Sequence, residues 1–141
     1  MQIDTSLFQK KIELTSTLIK ELENKHFTQE ELEHDLDTYS TIYYLYQNII
    51  ERCLGLAVLT LQMEDKTLPD SAKETFSQLA TKGIIQRDTS NKMGAAYGFR
   101  NLLIHEYDQI DPKKLYNDHP HNIQNLKQFL KEITQYFEKH Q

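Results

Sequence analysis

One cysteine, three prolines and four glycines in 141 residues leave little material for cross-links or tight turns. The lone Cys53 cannot form an internal disulfide, and its place in a helical apolar pattern makes it a buried structural thiol. So few Gly and Pro argue against a loop-rich all-β fold and for helices. No purely apolar run is longer than Leu54–Leu59, far short of a membrane span. No charged-then-apolar leader opens the chain, so the expected compartment is the cytoplasm. Also missing are G-x-G-x-x-G, the phosphate-binding P-loop, H-E-x-x-H and C-x-x-C, which removes the commonest nucleotide, zinc-protease and redox readings. What remains is an ordinary balance of 38% hydrophobic and 26% charged residues. That suits one domain over residues 1–141 with a single core.

The net charge of −5 disfavours a nucleic-acid partner at first sight. Its distribution changes that reading. Residues 1–81 hold 7 Lys and Arg against 14 Asp and Glu, whereas residues 82–114 hold 6 against 4. The least acidic third permits an anionic substrate without requiring one.

Apolar residues recur at three- and four-residue spacing from Asp4 to about Leu22, which predicts an amphipathic helix. Thr28-Gln29-Glu30-Glu31 reads as a capping box, opening a long helix to about Met63. Glu64–Pro69 reads as a loop. A second box, Ser71-Ala72-Lys73-Glu74, starts a third helix that Gly83 should end in the left-handed conformation, with Ile84 and Ile85 as a hydrophobic clasp. The fourth helix is expected from about Ser90 to Glu106. Asp111-Pro112 then forms a cap and first turn, leading through Tyr116 to a last helix. Pro120 should kink or separate these two pieces. With no strand alternation and no repeat, the fold class is all-α, an up-and-down bundle of about five helices.

The fourth helix carries the most distinctive chemistry. Tyr97-Gly98-Phe99-Arg100-Asn101-Leu102-Leu103-Ile104-His105-Glu106-Tyr107 spells R-x4-H-x-Y, joining a fixed cation, a group that titrates near neutrality and a phenol. On a helical wheel Ala95, Ala96, Phe99, Leu102 and Leu103 face the core. Arg100, Ile104 and Tyr107 stack as i, i+4 and i+7 on another row. Beside that row lie Gly94, Gly98, Asn101 and His105. Asn101, four residues before His105, is placed to hydrogen-bond the imidazole. Each glycine costs about 1 kcal/mol of helix stability relative to alanine. In exchange, the missing side chains admit a backbone or a substrate. The bland alternative is a hydrogen-bonded surface histidine with an unrelated arginine nearby.

Leu68-Pro69-Asp70-Ser71, then Phe76, Leu79-Ala80 and Gly83-Ile84-Ile85, and finally Gly98 through Tyr107, resemble the HepT-type branch of the HEPN superfamily. The resemblance covers the chain from about residue 39 onward and is densest at 97–111. It implies an all-α homodimer whose motif helices meet at a cleft, and metal-independent endoribonuclease activity without a cofactor. It further implies the toxin half of a two-gene toxin–antitoxin system. The partner would be a minimal nucleotidyltransferase that neutralises the toxin by adenylylating Tyr107. The chain itself lacks the Gly-Ser and paired aspartates of such a transferase.

The residues fit that chemistry independently of the family. RNA carries its own nucleophile, the 2′-OH, so a ribonuclease needs a proton carrier and a stabiliser of phosphorane charge. His105 suits the first role and Arg100 the second, with Asn101 orienting His105 or binding the same phosphate. Lys92 and Gly98 are candidate substrate contacts, and Lys82 and Arg87 either guide RNA or are solvated. Tyr107 either packs at the cleft mouth or is the modified residue. Tyr39, Tyr43, Tyr44 and Tyr46 read as core or dimer packing, with base stacking as the other use of such rings. His119-Pro120-His121 is a weak metal pair, and none of these residues is expected to bind metal. The competing functions are a non-catalytic nucleotide-binding module that pairs with a nucleotidyltransferase, and a structural helical adaptor.

Overall fold

In a computed structural model, which describes residues 4–64 and 67–141, Asp4 opens the first helix by accepting the N–H groups of Ser6 and Leu7. This helix, α1 (Thr5–Glu23), buries Phe8, Ile12, Ile19 and Leu22 on one stripe. The capping box at Thr28 forms in both directions: Thr28 donates its N–H to Glu31 Oε1, and Glu31 donates its own to Thr28 Oγ1. It does not open the long helix expected from the periodicity. It opens a short one, α2 (Gln29–His34), and Asp35 then leaves the helix with ψ at 110°. The Asp35 carboxylate accepts from both the backbone N–H and the hydroxyl of Thr38, so it caps a new helix, α3 (Leu36–Glu64). A capping aspartate breaks what the apolar spacing joined.

The α3 helix is the axis of the bundle and contacts every other helix. Its 29 residues bury Ile42, Tyr46, Ile49, Ile50, Cys53, Leu56, Ala57 and Leu61, among others. Asp65 and Lys66 of the expected loop lie outside the described residues; Thr67–Pro69 are non-helical. Ser71 Oγ accepts from Glu74 to start α4 (Ala72–Thr81). Gly83 ends it at φ 75° in a complete Schellman motif, in which Ile84 donates to Leu79 and Gly83 to Ala80. Ile85 is buried beneath it.

The motif helix, α5 (Arg87–His105), begins three residues before the expected Ser90. Its N-cap, Gln86, offers no side-chain cap. The cap comes from elsewhere: Glu132 Oε1 accepts the Gln86 N–H at 2.6 Å, while Oε2 accepts the Thr89 hydroxyl at 2.6 Å and the Gln128 amide at 2.9 Å. A carboxylate there also meets the positive end of the helix dipole. Glu132 is 7% exposed, so these three donors satisfy its carboxyl oxygens inside the fold.

The last helix, α6 (Pro112–Lys139), is capped by Asp111, which accepts from Lys113 and Lys114. Pro120 does not divide it. The helix runs through, correcting the expectation of two pieces. Leu115, Ile123, Leu126, Phe129, Ile133 and Phe137 form one buried stripe spanning the proline, which itself faces solvent. Packing along that stripe outweighs the lost backbone hydrogen bond. One apolar cluster draws on all six helices. Within it Phe8 stacks on Phe137 at 4.7 Å and Phe76 meets Phe129 edge-on at 5.6 Å. Each such side chain contributes about 1.5–3 kcal/mol through burial. Cys53 is fully buried, and burial pushes its thiol up to about 12, as expected of a structural residue. Among the described residues no strand is present, and no helix is long and apolar enough to cross a membrane.

Candidate active site

The α5 helix stops at His105 because the chain must reverse into α6. Glu106 takes φ −138°, ψ 50°, and Tyr107–Gln109 form a 3-10 turn closed by hydrogen bonds from Gln109 to Glu106 and Ile110 to Tyr107. Tyr107 therefore does not continue the Arg100–Ile104 row; leaving the helix takes it out of register. It turns back onto α3, meeting Tyr43 edge-on at 5.4 Å and Tyr39 at 6.1 Å. The residue is 46% exposed. Burial against these rings, with Tyr39 beside it, holds the phenol above its ordinary value. Tyr43, buried more deeply, is pushed up to about 12 by the same causes, with Tyr107 contributing. Both phenols keep their protons at neutral pH.

Arg100 is half-buried, its side chain 21% exposed, and it is held on two sides. Its Nε and one Nη donate to Glu51 Oε1 of α3 at 3.1 and 2.6 Å. Its other Nη donates to Asn101 Oδ1 at 3.1 Å, and the guanidinium carbon lies 5.3 Å from the Tyr97 ring centroid. Among the described residues three of the five N–H groups are engaged, leaving one on each Nη for a ligand. Asn101 thus serves the arginine. The contact with His105 suggested by i, i+4 spacing does not form; the amide oxygen takes the charged guanidinium donor instead. His105 is exposed and has no hydrogen-bond partner among the described residues. It lies about 140° around the helix from Arg100, at about 100° per residue. A single chain therefore brings Arg100, Asn101 and Glu51 together and leaves His105 exposed on a separate face of the helix.

That face is flat where the glycines predict it. A Cβ built on Gly98 would meet nothing within 4 Å, whereas Gly94 lies against the Lys73 side chain. Lys92 is exposed and paired with Asp88 at 2.9 Å. Arg87 is structural, its guanidinium binding Ser77 and Thr81 so that it ties α4 to the start of α5. The arc expected to face the core is only partly covered. Leu103 is buried, but Ala95, Ala96, Phe99 and Leu102 line an apolar recess of about 410 Å³ floored by Tyr46 and Ile50. None of Arg100, His105 and Tyr107 lines it.

Glu51 was not anticipated, yet a signal existed. Between residues 38 and 63 the only charged residues are Glu51 and Arg52. A carboxylate beside so apolar a stripe needs a partner. The tyrosine cluster divides: Tyr46 is core, Tyr43 and Tyr39 support Tyr107, and Tyr44 points outward. His119 is committed to Tyr46, whose hydroxyl contacts its Nδ1, and to the edge of Phe27 at 5.1 Å. Burial lowers its imidazole and raises the Tyr46 phenol, so both stay neutral near pH 7. Among the described residues no group of three or more His, Cys, Asp or Glu is placed to hold a metal ion.

Comparison with known proteins places this arrangement. The chain is 20% identical over 120 residues to the mRNA nuclease HepT of Shewanella oneidensis, covering 85% of this chain and 90% of the relative. Its fold superposes with a TM-score of 0.82 on the tri-AMPylated Shewanella oneidensis HEPN toxin in complex with MNT antitoxin, at 20% identity, covering 94% of this chain and 98% of that one. YutE of Bacillus subtilis, a cytosolic protein of unknown function, shares the fold with a TM-score of 0.79 at 15% identity, covering 98% and 93%. The pattern of the ribonuclease HepT-like family matches residues 12–133, taking in the motif helix and nearly every core position described above, and the chain belongs to that family.

Proposed function

We propose that this protein is a toxin that cuts RNA, and that a partner nucleotidyltransferase restrains it by adenylylating Tyr107. The observation that carries the ribonuclease reading is Arg100, tethered by Glu51 and Asn101, on the helix that also presents His105; among the described residues two Arg100 N–H groups and the imidazole are unpartnered. Membership of the HepT-like ribonucleases supports the same reading. In the reaction the ribose 2′-oxygen attacks the adjacent phosphorus as its proton leaves. The P–O5′ bond breaks and the departing oxygen gains a proton. The products are a 2′,3′-cyclic phosphate and a free 5′-hydroxyl. His105 carries protons at this centre, and Arg100 binds the phosphate oxygens as charge develops on them.

One histidine cannot accept and donate a proton in the same step. A second copy of the chain, lying across the open glycine face at Gly98, supplies the other His105 and turns the open face of α5 into a cleft. The apolar lining at Ala95 and Leu102 and the exposed Ile104 favour such a homodimer. Lys92 exchanges Asp88 for an RNA phosphate at the cleft margin. The reaction uses the substrate's own nucleophile and proceeds in the cytoplasm without a cofactor. Purified protein in EDTA should cleave RNA at the rate seen with Mg²⁺, leave cyclic phosphate ends, and sediment at twice the 16.7 kDa of one chain. Loss of cleavage in EDTA refutes the mechanism, and a monomeric active species refutes the paired histidines.

Tyr107 is half-exposed at the edge of α3, where a partner enzyme can reach it. Its phenol oxygen would attack the α-phosphate of ATP, forming a P–O bond and releasing pyrophosphate. Because the phenol keeps its proton, the nucleotidyltransferase must supply the base. The attached AMP adds negative charge and bulk two residues past His105, at the end of α5, which opposes RNA binding. Incubation with the partner, ATP and Mg²⁺ should add one or more AMP masses to the peptide holding Tyr107. A Tyr107→Phe toxin that is unmodified yet fully neutralised would show that complex formation suffices.

A further inference from the structure

We infer that Glu51 is a positioning residue for catalysis, holding the Arg100 guanidinium so that its free N–H groups face the scissile phosphate; the inference rests on the ribonuclease reading above. A single carboxylate oxygen, Glu51 Oε1, takes two donors from the same guanidinium, at 3.1 and 2.6 Å. Asn101 takes a third from the opposite nitrogen. An arginine fastened at one end alone could still rotate about the bond. Fastened at Nε and at both Nη atoms, its plane is set. The two N–H groups left over sit on adjacent nitrogens, which suits the two oxygens of one phosphate.

The neighbours of Glu51 do not dilute this role. Arg52, next in sequence, turns away and gives its Nε to Asn48 Oδ1 at 2.9 Å. Arg100 is the cation that Glu51 meets. Glu51 also belongs to a row on α3, Tyr39, Tyr43, Gln47 and Glu51, spaced by four residues. The far end of that row supports Tyr107. Eight residues of helix separate Tyr43 from Glu51, about 12 Å along the axis. One helix therefore sets both the cation that serves the chemistry and the phenol that controls it.

The plainer role for the pair is a strap between α3 and α5. With side chains 21% and 40% exposed, it belongs to a class of ion pairs that adds little to stability. The two roles separate in kinetics. A carboxylate near the path of a polyanion repels it, so removing Glu51 should leave RNA binding unchanged or tighten it. If Glu51 positions Arg100, the same change must slow turnover, because a misplaced charge stabiliser acts only in the transition state.

The test uses the full chain with a fluorescent RNA oligonucleotide that the wild type cuts. Glu51→Ala should lower kcat roughly 10- to 100-fold, with KM unchanged or reduced. Glu51→Gln keeps an oxygen for Nε and Nη and should return kcat to within about threefold of wild type. A Glu51→Ala enzyme with wild-type kcat, or a defect wholly in KM, overturns the inference. Nitrogen-15 NMR of the wild type decides independently of whether that variant folds. The Arg100 Nε–H signal, identified by its loss in Arg100→Lys, should exchange slowly with water. Fast exchange shows that no tether exists and overturns the inference. If the wild type cuts no RNA, the ribonuclease reading fails and takes this inference with it; an active wild type with an indifferent Glu51→Ala ends the inference alone.

Discussion

Replacing His105 with alanine should lower RNA cleavage by at least about 10²-fold and abolish growth inhibition, with no change in the thermal midpoint. The two halves of this expectation have separate causes. The imidazole is exposed and bonded to nothing else among the described residues, so its removal breaks no internal contact. It ends a helix whose final turn is closed by the backbone, from Glu106 to Leu102, and alanine keeps that bond. Such a surface change stays within about 0.5 kcal/mol. His119 cannot take over this role. His119 is held by Tyr46 under Phe27, and burial keeps it neutral. Circular dichroism melts and an RNA cleavage assay on the same preparation check both halves. Undiminished cleavage by the variant would exclude His105 from the reaction and return the motif to the helical-adaptor reading.

Glu132→Ala should have the opposite signature, a large loss of stability in a residue that never meets substrate. Its carboxylate accepts three hydrogen bonds while almost wholly buried. Removing it leaves the Gln86 N–H and the Thr89 hydroxyl without their acceptor, at a helix start whose N-cap makes no side-chain cap of its own. Hydrogen bonds to a charged group contribute about 1.5–3 kcal/mol each and are not additive, so a loss of about 3 kcal/mol is expected. That corresponds to roughly 10 °C in Tm for a chain of this size. Glu132→Gln should recover part of it, since an amide oxygen still accepts one of the bonds. A melt within 2 °C or so of wild type for Glu132→Ala would show that water replaces the carboxylate at no cost. Amide exchange should localise the loss, with the Gln86–Ser90 segment opening before the rest of α5.

Local chemistry was the legible part of this chain. Thr28, Ser71 and Asp111 cap helices because a short oxygen-bearing side chain reaches its own backbone, and Gly83 turns left-handed because it has no Cβ. The same reasoning misjudged two places. Apolar spacing from Leu32 through Leu36 to Tyr39 runs straight across Asp35, whose capping of Thr38 is the stronger signal. Pro120 reads locally as a breaker, but six buried side chains along α6 hold the helix through it. Long-range partners were out of reach. Glu51 and Arg100 lie 49 residues apart, Gln86 and Glu132 46 apart, and nothing in periodicity pairs them. The motif residues stand out in the sequence, but the company they keep does not. Asn101 sides with the arginine, and Tyr107 rests on α3 outside the helical row.

If Tyr107 is the modified residue, as proposed, its placement after the helix end, on its own three-residue turn, has a consequence for how the inhibited protein recovers. A bulky ester on that ring would displace a solvent-facing tyrosine and leave the hydrogen-bonded cylinder bearing Arg100 and His105 unbent. Cleavage of the ester would then free a machine already assembled, with no refolding step between release and the first cut.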